Sequence, residues 1–201
     1  MEIRRADEFG GGIRERISEI FVDAFGRDLR FFSKDPGRLI RAFSHVFVLD
    51  CFYAAVIDGK IAGITACVDE KHFCIKHDKK ILKKHLGLIK GSFAAMVFKN
   101  YFNKYPKYPA ETGMDEKTAS VEFVATASEY KRMGVATAIM NHIFTLPGYS
   151  KYILEAADTN TGALQLYRKL GYKEVCRKKQ GFSKFSGINY LVYMKYTKDE
   201  T

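Results

Sequence analysis

The clearest pattern along the chain is an alternation of strand-like and helix-like segments in its C-terminal half. A stretch of β-branched, aromatic and small residues at 119–126 predicts a strand. It is followed by apolar residues spaced four, four and three apart from Val135 to Leu146, which predicts an amphipathic helix. The same reasoning predicts strands at 152–156, 172–177 and 188–196, with a helix at 160–170 that ends at Gly171.

The N-terminal half mixes helical patterns with a hairpin signal. A short strand is predicted at 2–6, a helix follows from Ile13, and Asp35-Pro36 predicts the start of a second helix. Residues 46–68 are rich in β-branched and aromatic types, and the Asp58-Gly59 dipeptide within them predicts two antiparallel strands joined by a tight turn. The elements together predict an α/β (α+β) fold with a mixed, mostly antiparallel central sheet of about six or seven strands and helices on both faces.

Residues 71–117 differ in composition from the rest of the chain. They hold eleven lysines against two Asp and two Glu. Apolar residues from Ile81 to Ile89 share one helical face, and the pattern predicts that this helix continues past Gly91. Since strand-like sequence resumes at Thr118, we interpret the segment as a Lys-rich, helical insert in a single domain of residues 1–201.

The net charge and the length of the apolar runs indicate which classes of partner the sequence favours. Lys plus Arg number 33 against 23 Asp plus Glu, and the formal net charge of +10 favours an anionic partner: nucleic acid, anionic lipid or a phosphate-rich small molecule. The longest apolar run, at 93–98, is far shorter than the ~20 residues of a membrane span, and the N-terminus does not resemble a signal peptide. Without a membrane span or a signal peptide, we expect no membrane partner and a cytoplasmic location. The four cysteines form no Cys-x-x-Cys pair and are expected to be reduced thiols there.

Candidate chemistry begins between the strand at 119–126 and the helix at Val135. The intervening Lys131-Arg132-Met133-Gly134 turns through a glycine into the helix. Such a turn leaves backbone N–H groups unpaired at the positive end of the helix dipole, which is typical of pyrophosphate sites. Taken alone, a glycine at this kind of turn is more often structural.

Two sequence blocks resemble the GCN5-related N-acetyltransferase (GNAT) superfamily. Lys131-Arg132-Met133-Gly134-Val135-Ala136 is similar to the Gln/Arg-x-x-Gly-x-Gly/Ala loop that binds acetyl-CoA, although Lys replaces Gln or Arg at the first position. The segment from Asn160 to Tyr172 matches the family's Asn-x-x-Ala-x-x-x-Tyr-x-x-x-Gly-Phe/Tyr signature at each defined position. The resemblance covers residues 46–68 and 118–196 and implies a GNAT-like acyl-CoA N-acyltransferase fold.

The resemblance also implies a cofactor and its contacts. Acetyl-CoA is the implied acyl donor co-substrate, and main-chain N–H groups of a bulged strand are implied to stabilise the oxyanion. The implied cofactor-binding residues are Val124, Ala125 and Thr126 on the strand, Lys131, Arg132, Met133, Gly134, Val135, Ala136 and Thr137 in the loop and first helical turn, and Asn160, Ala163 and Tyr167 in the second block.

Acetyl transfer to an amine requires a base and an acid. Tyr167 matches the family's general acid, whereas its helical spacing alone favours a core aromatic residue. Glu122 lies mid-strand, where partial burial would raise a carboxyl pKa toward neutrality, and is the candidate base. Glu155, Asp69 and a water relay remain open as alternatives for the base. Asn160 serves as a helix N-cap, a cofactor contact, or both.

The resemblance implies an enzyme of the acyltransferase class. We expect no metal, because the Cys and His residues between 67 and 77 lack zinc-site spacing. The alternative is a non-catalytic module that binds acyl-CoA or nucleic acid through the basic insert, although no nucleic-acid motif is present. The amine acceptor is not readable from the sequence, and a homodimer is left open.

Overall fold

The computed structural model describes residues 1–102, 106–180 and 187–198. Seven strands and six α-helices form within them. The strands are β1 (Glu2–Arg5), β2 (Phe52–Ile57), β3 (Lys60–Val68), β4 (Thr118–Thr126), β5 (Lys151–Ala157), β6 (Lys173–Lys179) and β7 (Tyr190–Thr197). The helices are α1 (Ile13–Leu29), α2 (Pro36–Phe43), α3 (Lys79–Leu86), α4 (Leu88–Val97), α5 (Val135–Phe144) and α6 (Thr161–Lys169).

All seven strands belong to one sheet with the order β1-β2-β3-β4-β5-β7-β6. Every neighbouring pair is antiparallel except β4 and β5, which are parallel. The predicted fold class, a mixed and mostly antiparallel sheet with helices on both faces, is therefore confirmed. The hairpin is also confirmed: Asp58 and Gly59 have φ values of 48° and 74°, the left-handed pair that a type I′ turn requires.

Helices cover the two faces of the sheet unequally. Helices α1 to α4 pack on one face, around Phe43, Phe52 and Ile64, whereas α5 and α6 pack on the other, around Ile139 and Tyr152.

None of the described helices is long and apolar enough to cross a membrane.

Several predicted strand bounds were wrong at their edges, most of all at β2 and β7. The β-rich stretch from residue 46 becomes strand only at Phe52, since Leu49–Cys51 form a 3₁₀ turn. Ile188 lies before β7. Within β7, Val192 and Met194 pack toward α5 as the alternation predicted, while Tyr193 packs on the opposite face.

The insert folds differently from the predicted continuous helix. The chain breaks at Gly87, with φ 85° and ψ 168°, so α3 and α4 are separate and the apolar face changes direction. Ile89 is consequently 86% exposed, whereas Leu82 is fully buried. Gly91 lies inside α4, where a Cβ would be 2.5 Å from the Cα of Lys83, so this glycine allows the two helices to cross closely.

Candidate active site

Strands β4 and β5 pair over only three positions and then diverge. The last parallel pair is Ser120 with Ile153. Beyond it, the two strands leave a gap in the sheet, which we call the β4–β5 opening. Because β4 makes no further ladder hydrogen bonds to β5 there, its main-chain groups on that side are available to a ligand.

A β-bulge lies in β4 beside this opening. Ala66 pairs with Glu122 and Ile64 with Ala125, so two β4 residues, Phe123 and Val124, face one β3 residue. Phe123 has a φ of 56°, a left-handed conformation that is uncommon for an aromatic residue. The bulge that the resemblance implied on this strand is present, and it redirects the main chain next to the opening.

The segment before α5 forms a cradle of main-chain N–H groups. Gly134 is the N-cap of α5 with φ 76°, and no side chain caps the helix. The N–H groups of Val135, Ala136 and Thr137 therefore lack helical partners at the positive end of the dipole. Arg132 is also left-handed, with φ 66°. The geometry suits an anion, as the resemblance implied for this loop.

Close packing fixes where this cradle lies. A Cβ on Gly63 of β3 would be 2.5 Å from Cγ1 of Val135 and 2.8 Å from the carbonyl oxygen of Ala125. Only a glycine lets the start of α5 approach the sheet so closely. The cradle is thereby held next to the bulged end of β4.

Helix α1 holds the beginning of the loop. The backbone N–H and the hydroxyl of Ser128 each donate to the Asp23 carboxylate at 2.9 Å. Arg16 pairs with Glu129 at 2.8 Å and also donates to the carbonyl of Ile61. Sequence reasoning missed these contacts, because α1 lies more than one hundred residues from the loop along the chain.

Helix α6 carries the second sequence block. The Asn160 side chain accepts from the backbone N–H of Ala163 at 3.2 Å, so the predicted N-cap is confirmed. Tyr167 is 6% exposed and lies against Tyr172 with ring centroids 5.8 Å apart. Burial raises the pKa of Tyr167 to about 12, and its hydroxyl makes no hydrogen bond to a residue that the structure describes. By its packing, the Tyr167 ring is part of the core.

Both oxygens of the Glu122 carboxylate are occupied. Lys107 pairs with one oxygen, to which the Ser120 hydroxyl also donates at 2.9 Å. The Cys74 thiol donates to the other oxygen at 3.2 Å. The Glu122 and Lys107 side chains are 13% and 6% exposed, respectively. Sequence reasoning missed this partner, since the sequence does not show which residue of the insert folds back onto β4.

Glu155 lies across the β4–β5 opening from Glu122. Each carboxylate is two residues beyond the Ser120–Ile153 pair, so both side chains are on the sheet face of that pair. Glu155 is reached by solvent, yet surrounding protein desolvates it and raises the pKa of its carboxyl to about 7. Tyr193, its cross-strand neighbour on β7, donates a hydrogen bond that opposes this rise.

Asp69, another sequence candidate for the base, is engaged locally. Its carboxylate accepts from the backbone N–H groups of Lys71 and His72 and contacts the His72 ring at 2.7 Å. Burial raises the pKa of Asp69, but these hydrogen bonds lower it by more, so the pKa is below its usual value. Among the described residues, no group of three or more His, Cys, Asp or Glu side chains could hold a metal ion.

The opening, the bulge and the uncapped start of α5 therefore lie side by side in this α/β fold. The sequence model of the Acetyltransferase (GNAT) family matches residues 14–172. The chain therefore belongs to the GNAT acetyltransferase family.

Solved structures show the same fold at low sequence identity. An N-acetyltransferase from Staphylococcus aureus Mu50 is 14% identical, with a TM-score of 0.63 over 98% of this chain and 100% of that one. The ribosomal-protein-S18-alanine N-acetyltransferase from Escherichia coli is 13% identical, with a TM-score of 0.57 over 100% of this chain and 95% of that one. None of the curated proteins matches the sequence significantly.

Proposed function

We propose that the protein is an N-acetyltransferase that moves the acetyl group of acetyl-CoA to an amine by direct nucleophilic attack. The observation that carries this proposal is the β4–β5 opening, which has an anion cradle at one end and the titratable carboxylate of Glu155 beside it. The proposal takes residues 1–201 as one domain with its insert at 71–117. The cytoplasmic location predicted from the sequence stays a prediction.

In this proposal, acetyl-CoA binds along the cradle and the bulged strand β4. Its pyrophosphate accepts from main-chain N–H groups of the loop from Lys131 to Thr137, with the Lys131 and Arg132 side chains at the rim. Its pantetheine arm would lie along Val124, Ala125 and Thr126, and those of their N–H groups that point away from β3 would stabilise the oxyanion. Asn160 and Ala163 contact the arm from the start of α6.

Proton transfers complete the reaction. A lysine-like amine has a pKa near ~10.4, so on the order of one molecule in a thousand is neutral at pH 7, and a base is needed. The amine nitrogen bonds to the thioester carbon, its proton passes to the base, and the carbon–sulfur bond breaks. Tyr167, whose raised pKa keeps it protonated, donates to the departing sulfur.

The contacts favour Glu155 over Glu122 as the base. Lys107, Ser120 and Cys74 already occupy the Glu122 oxygens. Glu155 is accessible to solvent and has a carboxyl pKa of about 7, which suits a base that works near neutrality. Glu122 accordingly has a supporting place in the proposed site.

The alternative function, a non-catalytic module that binds acyl-CoA or nucleic acid, rests on the insert. Exposed lysines such as Lys80 and Lys84 are available to phosphates. Lys107 of the insert, however, forms an ion pair with Glu122 on β4, at the candidate active site. Release of CoA thiol in the presence of an amine supports the enzyme, whereas salt-sensitive oligonucleotide binding without thiol release supports the module.

Acetyl-CoA is expected to raise the melting temperature, because it should bind the folded state only. At one hundred times its Kd, binding adds about 2.7 kcal/mol. For a domain of this size, that corresponds to a rise of roughly 5–10 °C. Differential scanning fluorimetry measures the shift, and adenosine serves as the control without pyrophosphate. An unmoved transition together with no heat in calorimetry would contradict acetyl-CoA binding.

The amine acceptor is identified by a screen that detects CoA thiol. Small amines, aminoglycosides, amino acids and peptides with a free N-terminus are the classes to compare. If acetyl-CoA binds and no class releases thiol, the protein binds the cofactor without the proposed catalysis.

Gly134→Asp is expected to weaken acetyl-CoA binding by at least ~10-fold. The carboxylate would lie at the N–H groups that hold the pyrophosphate, where negative charge repels the ligand. Gly148→Asp is the matched control, because Gly148 also has a positive φ, 86°, and open space at its Cβ, but follows the other end of α5. Equal affinities for the two folded variants, measured by calorimetry, would place the pyrophosphate elsewhere.

A further inference from the structure

The insert returns from its helices to the sheet and places one ammonium group at the β4–β5 opening. The Lys107 side chain is 6% exposed. Its Nζ pairs with the Glu122 carboxylate, lies 3.4 Å from the Ser120 hydroxyl oxygen, and lies 5.5 Å from the centre of the Phe73 ring. The next residue, Tyr108, is buried against Ile153 and Tyr193. The contacts of both residues anchor the insert at this site.

An ion pair in this position is not explained by stability alone. Removing two charges from water costs free energy that their attraction often fails to recover, so apolar replacements are frequently as stable. Lys107 and Glu122 are both largely buried, and they join the insert to the strand that carries the bulge. This placement suggests a role in the electrostatics of the opening.

Two carboxylates face this opening, and one cation lies with them among the described residues. Glu122 raises the pKa of Glu155 by repulsion, whereas Lys107 lowers it. The other titratable groups near Glu155 are the hydroxyls of Tyr193 and Tyr108, and burial raises the pKa of Tyr108 well above its usual value. Lys107 is therefore the group that offsets the Glu122 charge.

We propose that Lys107 is a positioning residue that holds Glu122 as an ion pair, so that Glu155 is left as the carboxylate that takes the proton of the acceptor amine. This inference rests on the proposed acetyl transfer and on Glu155 as its base. Lys107 touches neither the acyl donor nor the reacting atoms in this arrangement. It acts by keeping the charge of Glu122 neutralised and its side chain fixed.

Loss of the Lys107 charge has a defined consequence. Two neighbouring carboxylates without a cation resist simultaneous ionisation, so one of them keeps a proton to higher pH. As long as Glu122 stays ionised, its uncompensated charge opposes ionisation of Glu155, and the fraction of molecules with an ionised Glu155 falls at neutral pH. The ionised form of Glu155, which is the proposed base, is restored only at higher pH.

The test is the pH profile of kcat/KM for Lys107→Met. In the wild type, activity should rise with pH through about 7, since the base must be deprotonated. In the variant, this rise is expected to move upward by at least ~1 pH unit, with activity recovering at high pH and the Kd for acetyl-CoA unchanged. Lys84→Met removes an exposed insert lysine and is expected to leave the profile in place.

Two further variants separate this role from a structural one. Glu122→Gln keeps an acceptor for Lys107 but removes the negative charge, so the rise should move to lower pH. The double variant Lys107→Met, Glu122→Gln lacks both charges and should return toward the wild-type profile. If Lys107→Met does not fold, the downward shift in Glu122→Gln still tests the coupling, and Lys107→Arg should preserve the wild-type profile.

The outcomes distinguish this inference from the proposed function. NMR titration of the Glu155 carboxyl in the same variants follows the coupling without any enzymatic turnover. The inference would be overturned if Lys107→Met and Glu122→Gln changed neither the pH at which kcat/KM rises nor the pH at which Glu155 titrates. Wild-type acetyl transfer would stand in that case. Failure of the wild type to release CoA thiol with any amine would instead overturn the proposed function.

Discussion

Replacing Glu155 with glutamine is expected to lower kcat/KM for acetyl transfer by roughly 100- to 10,000-fold, the range that positioned acid–base groups contribute. The glutamine side chain would keep the size of the glutamate but could not accept the proton of the amine. The rise of activity through about pH 7 should disappear as well, because the group whose pKa is about 7 is absent. A pH series of initial rates, followed by CoA thiol release, measures both effects.

The controls for this prediction compare the two facing carboxylates. Glu155→Asp retains a carboxylate and should recover part of the lost rate. Glu122→Gln should lose less activity than Glu155→Gln at pH 8, because Glu122 is already paired with Lys107. A severe loss in Glu122→Gln together with a normal profile in Glu155→Gln would assign the base to Glu122.

Tyr167→Phe is expected to reduce kcat by roughly 10- to 1,000-fold with little change in stability. The ring would still fill its place in the core, and the hydroxyl makes no hydrogen bond to a described residue that would be lost. The Kd for acetyl-CoA should therefore hardly change. Single-turnover kinetics, calorimetry with acetyl-CoA and urea unfolding provide the three measurements.

Tyr172→Phe is the matched control for Tyr167→Phe. The two rings are neighbours, and the Tyr172 hydroxyl is buried without a hydrogen-bond partner among the described residues. Its removal should leave kcat unchanged and should not lower the free energy of unfolding. Normal turnover in Tyr167→Phe with a clear loss of stability would mean that its hydroxyl has a structural role only.

The parts of the site that depend on local sequence could be predicted. Gly134 begins α5 with a left-handed conformation, and Asn160 caps α6 through Ala163, three residues away. Asp58-Gly59 forms the hairpin turn. Each feature depends on residues within a few positions, so side-chain size, backbone freedom and short-range hydrogen bonds are enough to specify it.

Some local signals were still overridden by packing. The apolar positions from Ile81 to Ile89 fit one helical face, yet the chain breaks at Gly87 and exposes Ile89. A turn at this glycine lets α4 cross α3 at Gly91. Helical periodicity reports which positions are apolar, whereas the partner surface decides which of them are buried.

The sequence by itself determined the alternation of elements, the glycine turn into α5 and the family's two motif blocks. Only the tertiary structure decided the divergence of β4 from β5, the Asp23 contact that holds the loop, and the contact between Lys107 of the insert and Glu122. The physical reason is distance along the chain. Caps and turns are specified by near neighbours, whereas the charge around Glu155 is set by groups that only folding brings together.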